Sequence, residues 1–190
     1  MKHILASGQG YDGRGDETTE HLYIGHNNLT HFPRLPNVTH LDIGHNLISD
    51  ISNLPPKLRW FCCADNPIED FSPIEERNLR TLWAHDTDYV PQDFSPWLKN
   101  LLLDRTPEFD YELLYGIPLE TLELEGHSMD DLSVLEHAKL EFLNIEGNNV
   151  KDISPLTKMR TLKRLNIAGC PIQDYSPLSL LSMHVTKFKI

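Results

Sequence analysis

The sequence lacks several features that would assign it to a large class of proteins. No apolar run approaches the roughly 20 residues that cross a membrane, and the apolar stretch near the start is too short for a secretory signal. There are only 3 cysteines, and two of them, Cys62 and Cys63, are adjacent. An odd number in this arrangement suits a reducing compartment better than a disulfide framework. We therefore expect a cytoplasmic protein.

Positive charge is also scarce. The 17 Lys and Arg residues stand against 28 Asp and Glu residues, which gives a formal net charge of −11. Nucleic acids and anionic membranes attract proteins of the opposite sign. The balance of charge therefore argues against a general nucleic-acid binder and against a membrane-surface binder, and we predict neither kind of partner.

What the sequence does contain is a repeat of about 21 residues, within the roughly 20–29 residues of leucine-rich repeats. In its clearest copy Leu143 and Ile145 alternate with Asn144, as in a strand with one buried face. One unit cannot bury its apolar face alone, so consecutive units must stack on a shared core. The central apolar residues of the units are Leu22, Leu41, Phe61, Leu82, Leu101, Leu122, Leu143, Leu165 and Phe188.

The full repeat reads L-x-x-L-x-L-x-x-N-x-I-x-D-I-x-P-L and is most complete from Leu140 to Leu156. It resembles the short leucine-rich repeats of SDS22-like phosphatase regulators and of bacterial internalins. The resemblance implies an α/β leucine-rich repeat solenoid, with a curved parallel sheet on its concave face and 3₁₀ turns, short helices or extended segments on its convex side. We predict a capping segment and loop at residues 1–19, and a repeat domain of about eight repeats plus a terminal strand at residues 20–190.

Polar residues at fixed places in the repeat predict its turns. An Asn that follows each strand can bond exposed backbone groups, whereas Ser-Pro pairs such as Ser72-Pro73 and Ser154-Pro155 predict helical turns with Ser as the cap. We expect less regular turns where another residue replaces the Asn. The Asn residues are Asn27, Asn46, Asn66 and Asn148, and the replacements are Thr87, Thr106, His127 and Cys170.

In this fold the residues that flank the buried leucines point outward from the concave face, where no apolar side chain is needed. Clustered tryptophans at such places are typical of binding hot spots. We predict a non-enzymatic interaction module that binds another protein through an apolar anchor with Lys or Arg beside it. The predicted site comprises an apolar group (Trp60, Cys62, Trp83, Leu102), an acidic strip (Asp104, Glu123, Glu125, Glu146) and the neighbouring His85 and Phe142.

Other interpretations stay open. The tryptophans could be covered by the N-terminal segment or by a second copy of the chain, and the terminal strand near Phe188 offers another edge for pairing. The SDS22-like resemblance implies a regulatory subunit of an enzyme such as a phosphatase. The internalin-like Asp152-Ile153-Ser154-Pro155-Leu156 suggests a host-directed factor of a pathogen or virus.

The 10 histidines are candidate metal ligands, and Cys62 is a candidate nucleophile. His21 and His40 should be neighbours on adjacent strands, as should His26 and His45, but a zinc or copper site needs three or four ligands. We predict no metal and no cofactor, and we expect the close pairs to weaken the fold or its binding below about pH 6. Cys62 has no pocket, oriented base or oxyanion donor around it, so we predict no enzymatic activity.

Overall fold

A computed structural model of the chain describes residues 2–5, 15–104, 109–181 and 187–189. The side chains of Lys2, Asp104 and residues 187–189 lie outside this description, as do residues Ala6 and Thr106. The chain forms two compact units, Met1–Leu98 and Lys99–Ile190. Each unit is a leucine-rich repeat solenoid in which short parallel strands alternate with short return segments, as the repeat predicts.

The first unit contains five strands that pair in chain order. Leu41 is in register with Leu22 on one side and with Phe61 on the other, and Phe61 is in register with Leu82. These pairs confirm the predicted alignment of the repeats. The elements are β1 (Lys2–Leu5), β2 (Thr19–Tyr23), β3 (His40–Asp42), β4 (Trp60–Cys62), α1 (Ser72–Glu75) and β5 (Thr81–Trp83).

The second unit repeats this arrangement. Leu122 pairs in register with Leu101, Leu143 with Leu122, and Leu165 with Leu143. Its return segments are short 3₁₀ and α-helices, as predicted for the convex side. The strands are β6 (Asn100–Asp104), β7 (Thr121–Glu125), β8 (Phe142–Asn144), β9 (Arg164–Asn166) and β10 (Lys187–Lys189); the helices are the 3₁₀ segments Tyr111–Leu114, Ser133–Leu135 and Ser154–Lys158, and α2 (Leu178–Leu181).

The repeat leucines form the core of each unit. Leu41 and Phe61 in the first unit and Leu122 and Leu143 in the second are 0% exposed. Burial of such a side chain stabilises the fold by about 1.5–3 kcal/mol. Because every repeat contributes to a core that it shares with its neighbours, the strands are held in one register and their outward residues fall into regular rows.

Buried Asn side chains connect successive repeats. Asn148 donates to the carbonyls of Leu124, Ile145 and Glu146 and accepts from the Met129 N–H at 3.0 Å. Asn46 and Asn66 make equivalent bonds. The residues that replace Asn make fewer bonds to carbonyls: Thr87 bonds Ala84, His127 bonds Leu103, and Cys170 bonds Ile145.

The residue before the Asn position adopts a left-handed backbone in both units. The second unit uses glycine there, with Gly147 at φ 70° and Gly169 at φ 73°. The first unit uses His26, His45, Asp65 and Asp86, at φ values of 59°, 54°, 48° and 52°. This conformation costs a residue with a Cβ about 1 kcal/mol, so each turn in the first unit holds its side chain at a strained but fixed place.

The predicted Ser caps at Ser72 and Ser154 are wrong. Both residues are already the first residue of their helix, and neither helix has a side-chain bond from its cap residue. The carboxylates of Asp70 and Asp152 instead accept the backbone N–H of Ser72 and Ser154, at 2.9 and 2.8 Å. The aspartate of the repeat therefore satisfies the orphan donor that begins each return segment.

Candidate partner-binding surface

The outward side of the strands, which we call the strand face, carries a row of rings in the first unit. His3, His21, His40 and Trp60 are in register on four neighbouring strands. The ring centroids are 4.2 Å apart for His3 and His21, 4.1 Å for His21 and His40, and 6.4 Å for His40 and Trp60. Strand pairing alone places these side chains in contact, because neighbouring strands lie roughly 4.8 Å apart.

Trp60 ends this row and contacts a second tryptophan, Trp83, on the next strand. The rings of Trp60 and Trp83 meet edge to face with centroids 4.9 Å apart, and both side chains are half-buried. Tyr23 packs against Trp60 from the other side, at 5.9 Å. The Nε1 atom of Trp83 is buried and has no hydrogen-bond acceptor within the described residues. The arrangement presents a compact aromatic surface on β2, β4 and β5, of the kind that dominates binding energetics.

Cys62 lies beside the tryptophans but contributes almost no surface, since it is only 7% exposed. A Cβ on Gly44 would lie 3.2 Å from its sulfur, so the glycine gives the sulfur room to lie low against the neighbouring strand. Burial, together with the nearby Asp42 carboxylate, raises the pKa of Cys62 to about 12. A nucleophilic cysteine requires the opposite shift, towards the thiolate.

The predicted histidine pairs are present in the first unit. His26 and His45 stack at 4.1 Å, and His45 Nδ1 lies 2.9 Å from the Asp65 carboxylate. His85, half-buried, approaches this pair with its ring 6.4 Å from that of His45. Among the described residues, no three His, Cys, Asp or Glu side chains stand close enough together to hold a metal ion.

Burial lowers the pKa of the two middle histidines of the row. For His21 the next cause is the charge of His3, with Glu20 acting in the opposite direction and the amino terminus making a smaller contribution. For His40 the pKa is lowered by burial and then by the charges of His21 and His3. The lowered pKa values of His21 and His40 favour their neutral imidazoles.

The strand face of the second unit is acidic and hydrogen-bonded. The Asn144 amide donates to the Glu123 carboxylate at 3.3 Å, and the Asn166 amide donates to that of Glu146 at 2.7 Å. Phe142 lies under Arg164, whose guanidinium carbon is 4.3 Å from the ring centroid. Leu102 is half-buried on β6 and Glu125 is exposed, whereas the Asp104 side chain lies outside the description. The predicted site residues thus fall into two groups: Trp60, Cys62, Trp83 and His85 in the first unit, and Leu102, Asp104, Glu123, Glu125, Phe142 and Glu146 in the second.

Sequence reasoning missed one exposed tryptophan. In the irregular stretch between β5 and β6, Tyr89 packs into the core at 1% exposure. Trp97 itself is 61% exposed. The Ser95-Pro96 pair before it begins a turn outside the strand, and this turn was the available signal that the next side chain points away from the core.

Comparison with known proteins identifies the type of repeat. A family profile described as Leucine Rich repeats (2 copies) matches residues 138–180, the two most regular copies of the repeat. Residues 138–180 therefore carry leucine-rich repeats, in agreement with the solenoid fold of each unit. A comparison with curated proteins found no significant match. In the described residues no helix is long and apolar enough to span a membrane.

Solved structures of internalins from Listeria monocytogenes have the same fold. The internalin InlF superposes with a TM-score of 0.78 and 25% sequence identity, over 92% of this chain and 54% of its own. Internalin C2 gives a TM-score of 0.70 and 27% identity, over 80% of this chain and 72% of its own. A leucine-rich repeat protein of Leptospira interrogans shares the fold alone, at 18% identity and a TM-score of 0.53, over 90% of this chain and 43% of its own. The present chain thus spans about half of the InlF chain that it matches.

Proposed function

We propose that the chain is a cytoplasmic, non-enzymatic module that binds another protein on its strand face, with Trp60 and Trp83 as the anchor. The observation that carries the proposal is the edge-to-face pair of these rings on the strand face, 4.9 Å apart. The fold needs no aromatic residue there, since the repeat core is formed by the opposite face of the same strands. Leucine-rich repeat folds are in general protein-interaction modules, and the likeness to internalins agrees with such a role.

The partner's chemistry follows from the residues on the strand face of each unit. The rings of Tyr23 and Trp60 pack against each other and present an apolar surface. An apolar side chain of the partner can displace water from these rings at little cost. In the second unit, Glu123 and Glu146 are already oriented by asparagine amides, and Glu125 is exposed. Fixed carboxylates attract Lys and Arg and mainly set the rate and orientation of encounter. The proposed partner therefore carries an apolar anchor together with basic groups.

The alternative functions differ in the kind of protein that the same surface would bind. A regulatory subunit would bind a catalytic protein such as a phosphatase, and a host-directed factor would bind a protein of another organism. The identity of the captured protein separates these two. A thiol enzyme is disfavoured, because the pKa of Cys62 is raised to about 12 and its sulfur is buried.

Capture experiments with matched tryptophan variants test the proposal. The wild-type chain, Trp60→Ala/Trp83→Ala and Trp97→Ala would be immobilised and exposed to extracts of the source cells. Trp97 is the control because it is an exposed tryptophan of the same unit that lies outside the strands. We expect the strand-face variant to lose the captured protein, since hot-spot truncation costs about 2 kcal/mol or more, roughly 30-fold in affinity. The Trp97 variant should retain it.

Two results would reject this assignment. Unchanged capture by Trp60→Ala/Trp83→Ala would remove the tryptophans from the interface. An equal loss of capture by the Trp97→Ala variant would mean that capture depends on nonspecific hydrophobic contact. Circular dichroism of each variant would exclude loss of the fold as the cause.

A further inference from the structure

The three imidazoles at the end of the aromatic row have no counter-ion among the residues that the structure describes. His3, His21 and His40 are in ring contact, at 4.2 and 4.1 Å between centroids. None of the three forms an ion pair within the described part of the chain. The His26 and His45 pair differs, since its stacked rings are just as close but Asp65 lies 2.9 Å from His45. Within residues 2–5, 15–104, 109–181 and 187–189, a carboxylate is paired with one histidine cluster and none with the other.

Among the contacts of the described residues, the hydrogen bond of His40 involves only one of its two ring nitrogens. The Thr39 hydroxyl donates to the Glu20 carbonyl at 3.2 Å and lies 2.9 Å from His40 Nδ1. The hydroxyl can therefore accept a proton from Nδ1. In this tautomer Nε2 is the basic nitrogen, and on protonation it becomes an N–H donor for which the described part of the chain provides no acceptor.

The described charged groups near the row, Glu20 and Asp42, do not neutralise it. Glu20 favours the charged form of His21, but its effect is smaller than that of burial and of the charge of His3. Asp42 lies two residues beyond His40 on the same face, and its carboxylate already accepts the Gly44 N–H at 2.9 Å. Tyr23 is uncharged near neutral pH, because burial and Asp42 raise its pKa. The second and third protons can therefore enter the row only against repulsion or with an anion that the described residues do not supply.

We propose that the row of His3, His21 and His40 binds the carboxylates of an acidic segment of the partner protein, and that protons are taken up as it binds. The inference extends the proposed function, since the row adjoins the Trp60 anchor at 6.4 Å between His40 and Trp60. A carboxylate over two adjacent imidazoles stabilises the protonated rings and receives their N–H bonds. Binding is then strongest at a pH that protonates histidine but leaves glutamate ionised, between about 4.5 and 6.5.

An acidic peptide of defined sequence tests this without knowledge of the partner. Acetylated hexaglutamate would be titrated calorimetrically into the full chain at about pH 7.5 and about pH 5.5, in two buffers of different ionisation enthalpy that report proton uptake. We expect affinity at least about tenfold higher at the lower pH, with uptake of about one proton or more per peptide. His21→Gln/His40→Gln should remove both effects, and His31→Gln/His137→Gln, at two exposed histidines, should leave them intact.

A second measurement uses the wild-type chain, so it tests the proposal even if the variant does not fold. Proton resonance titrations of the imidazoles should show that hexaglutamate raises the pKa of His21 and His40. Equal affinity at the two pH values, or titrations that the peptide leaves unchanged, would overturn the proposal. Tighter binding of hexalysine would also overturn it, and tighter binding of a hexanucleotide would assign the row to nucleic acid.

The hexaglutamate titration and the capture experiment with tryptophan variants test separate claims, so either can fail without the other. If hexaglutamate fails to bind while Trp60→Ala/Trp83→Ala abolishes capture, the histidine proposal alone is wrong. If hexaglutamate binds with proton uptake while the tryptophan variant still captures its protein, the anchor alone is wrong.

Discussion

At the scale of single residues, stability in each unit depends on side chains that satisfy backbone groups between repeats. Asn148 is the best example, since it is 2% exposed and its amide bonds carbonyls of its own turn and of the preceding strand. An alanine there leaves the Leu124 carbonyl and the Met129 N–H buried without partners. Each such group costs about 1–3 kcal/mol.

We therefore expect Asn148→Ala to lower the free energy of unfolding by about 2–4 kcal/mol. Urea unfolding followed by circular dichroism measures the change. The adjacent Asn149 is exposed, so Asn149→Ala should stay within about 0.5 kcal/mol of the wild-type chain. Similar losses in the two variants would mean that the turn and not the buried amide is responsible.

At the scale of elements, the aspartates that begin the return segments make the free energy of unfolding depend on pH in the acidic range. Backbone N–H bonds from Ser52, Ser133 and Ser176 lower the pKa of Asp50, Asp131 and Asp174. The unfolded chain then binds protons at a higher pH than the folded chain. This contribution to stability is complete above the unfolded value of about 3.9 and is lost as the pH falls through the lower, folded values.

The melting temperature should accordingly fall more steeply for the wild-type chain than for Asp50→Asn/Asp131→Asn/Asp174→Asn between about pH 5 and pH 2.5. Asparagine keeps an acceptor for the serine N–H but does not titrate. Asp88→Asn, at an exposed position without such a bond among the described residues, is the control and should follow the wild-type curve. Parallel curves for the wild type and the triple variant would show that these bonds do not govern acid stability.

The elements also show what sequence could predict. Register and core followed from Leu22, Leu41 and Phe61 because a repeat that cannot bury its own face must stack in one way. The caps were assigned to Ser instead of Asp because both side chains can accept a backbone N–H, and their spacing does not separate them. The burial of Cys62 depends on the space above Gly44, which is a property of two strands together. That no described carboxylate pairs with His21 or His40 likewise could be known only from the positions of Glu20 and Asp42 in the structure.

At the scale of the whole molecule, the alternative occupant of the tryptophan surface is a second copy of the chain. Two copies would each bring a formal net charge of −11, and this repulsion opposes association until salt screens it. A stable dimer buries roughly 1,200–2,000 Å² in total, more than a pair of half-buried indoles on each copy offers by itself. We therefore expect a monomer whose tryptophans stay free for a different protein.

Light scattering should accordingly give a mass near 21.9 kDa for the wild-type chain and for Trp60→Ala/Trp83→Ala. A wild-type dimer that the double variant dissociates would mean that the tryptophans are covered by self-association, and the partner surface would then lie elsewhere. A dimer that survives the double variant would instead implicate an edge such as β10, whose strand Lys187–Lys189 pairs with β9 on one side. Repeating the measurement at about pH 5.5 separates repulsion from contact, because protonated histidines reduce the net negative charge. Association only at the lower pH would show that charge, and not the lack of a complementary surface, keeps the copies apart near neutrality.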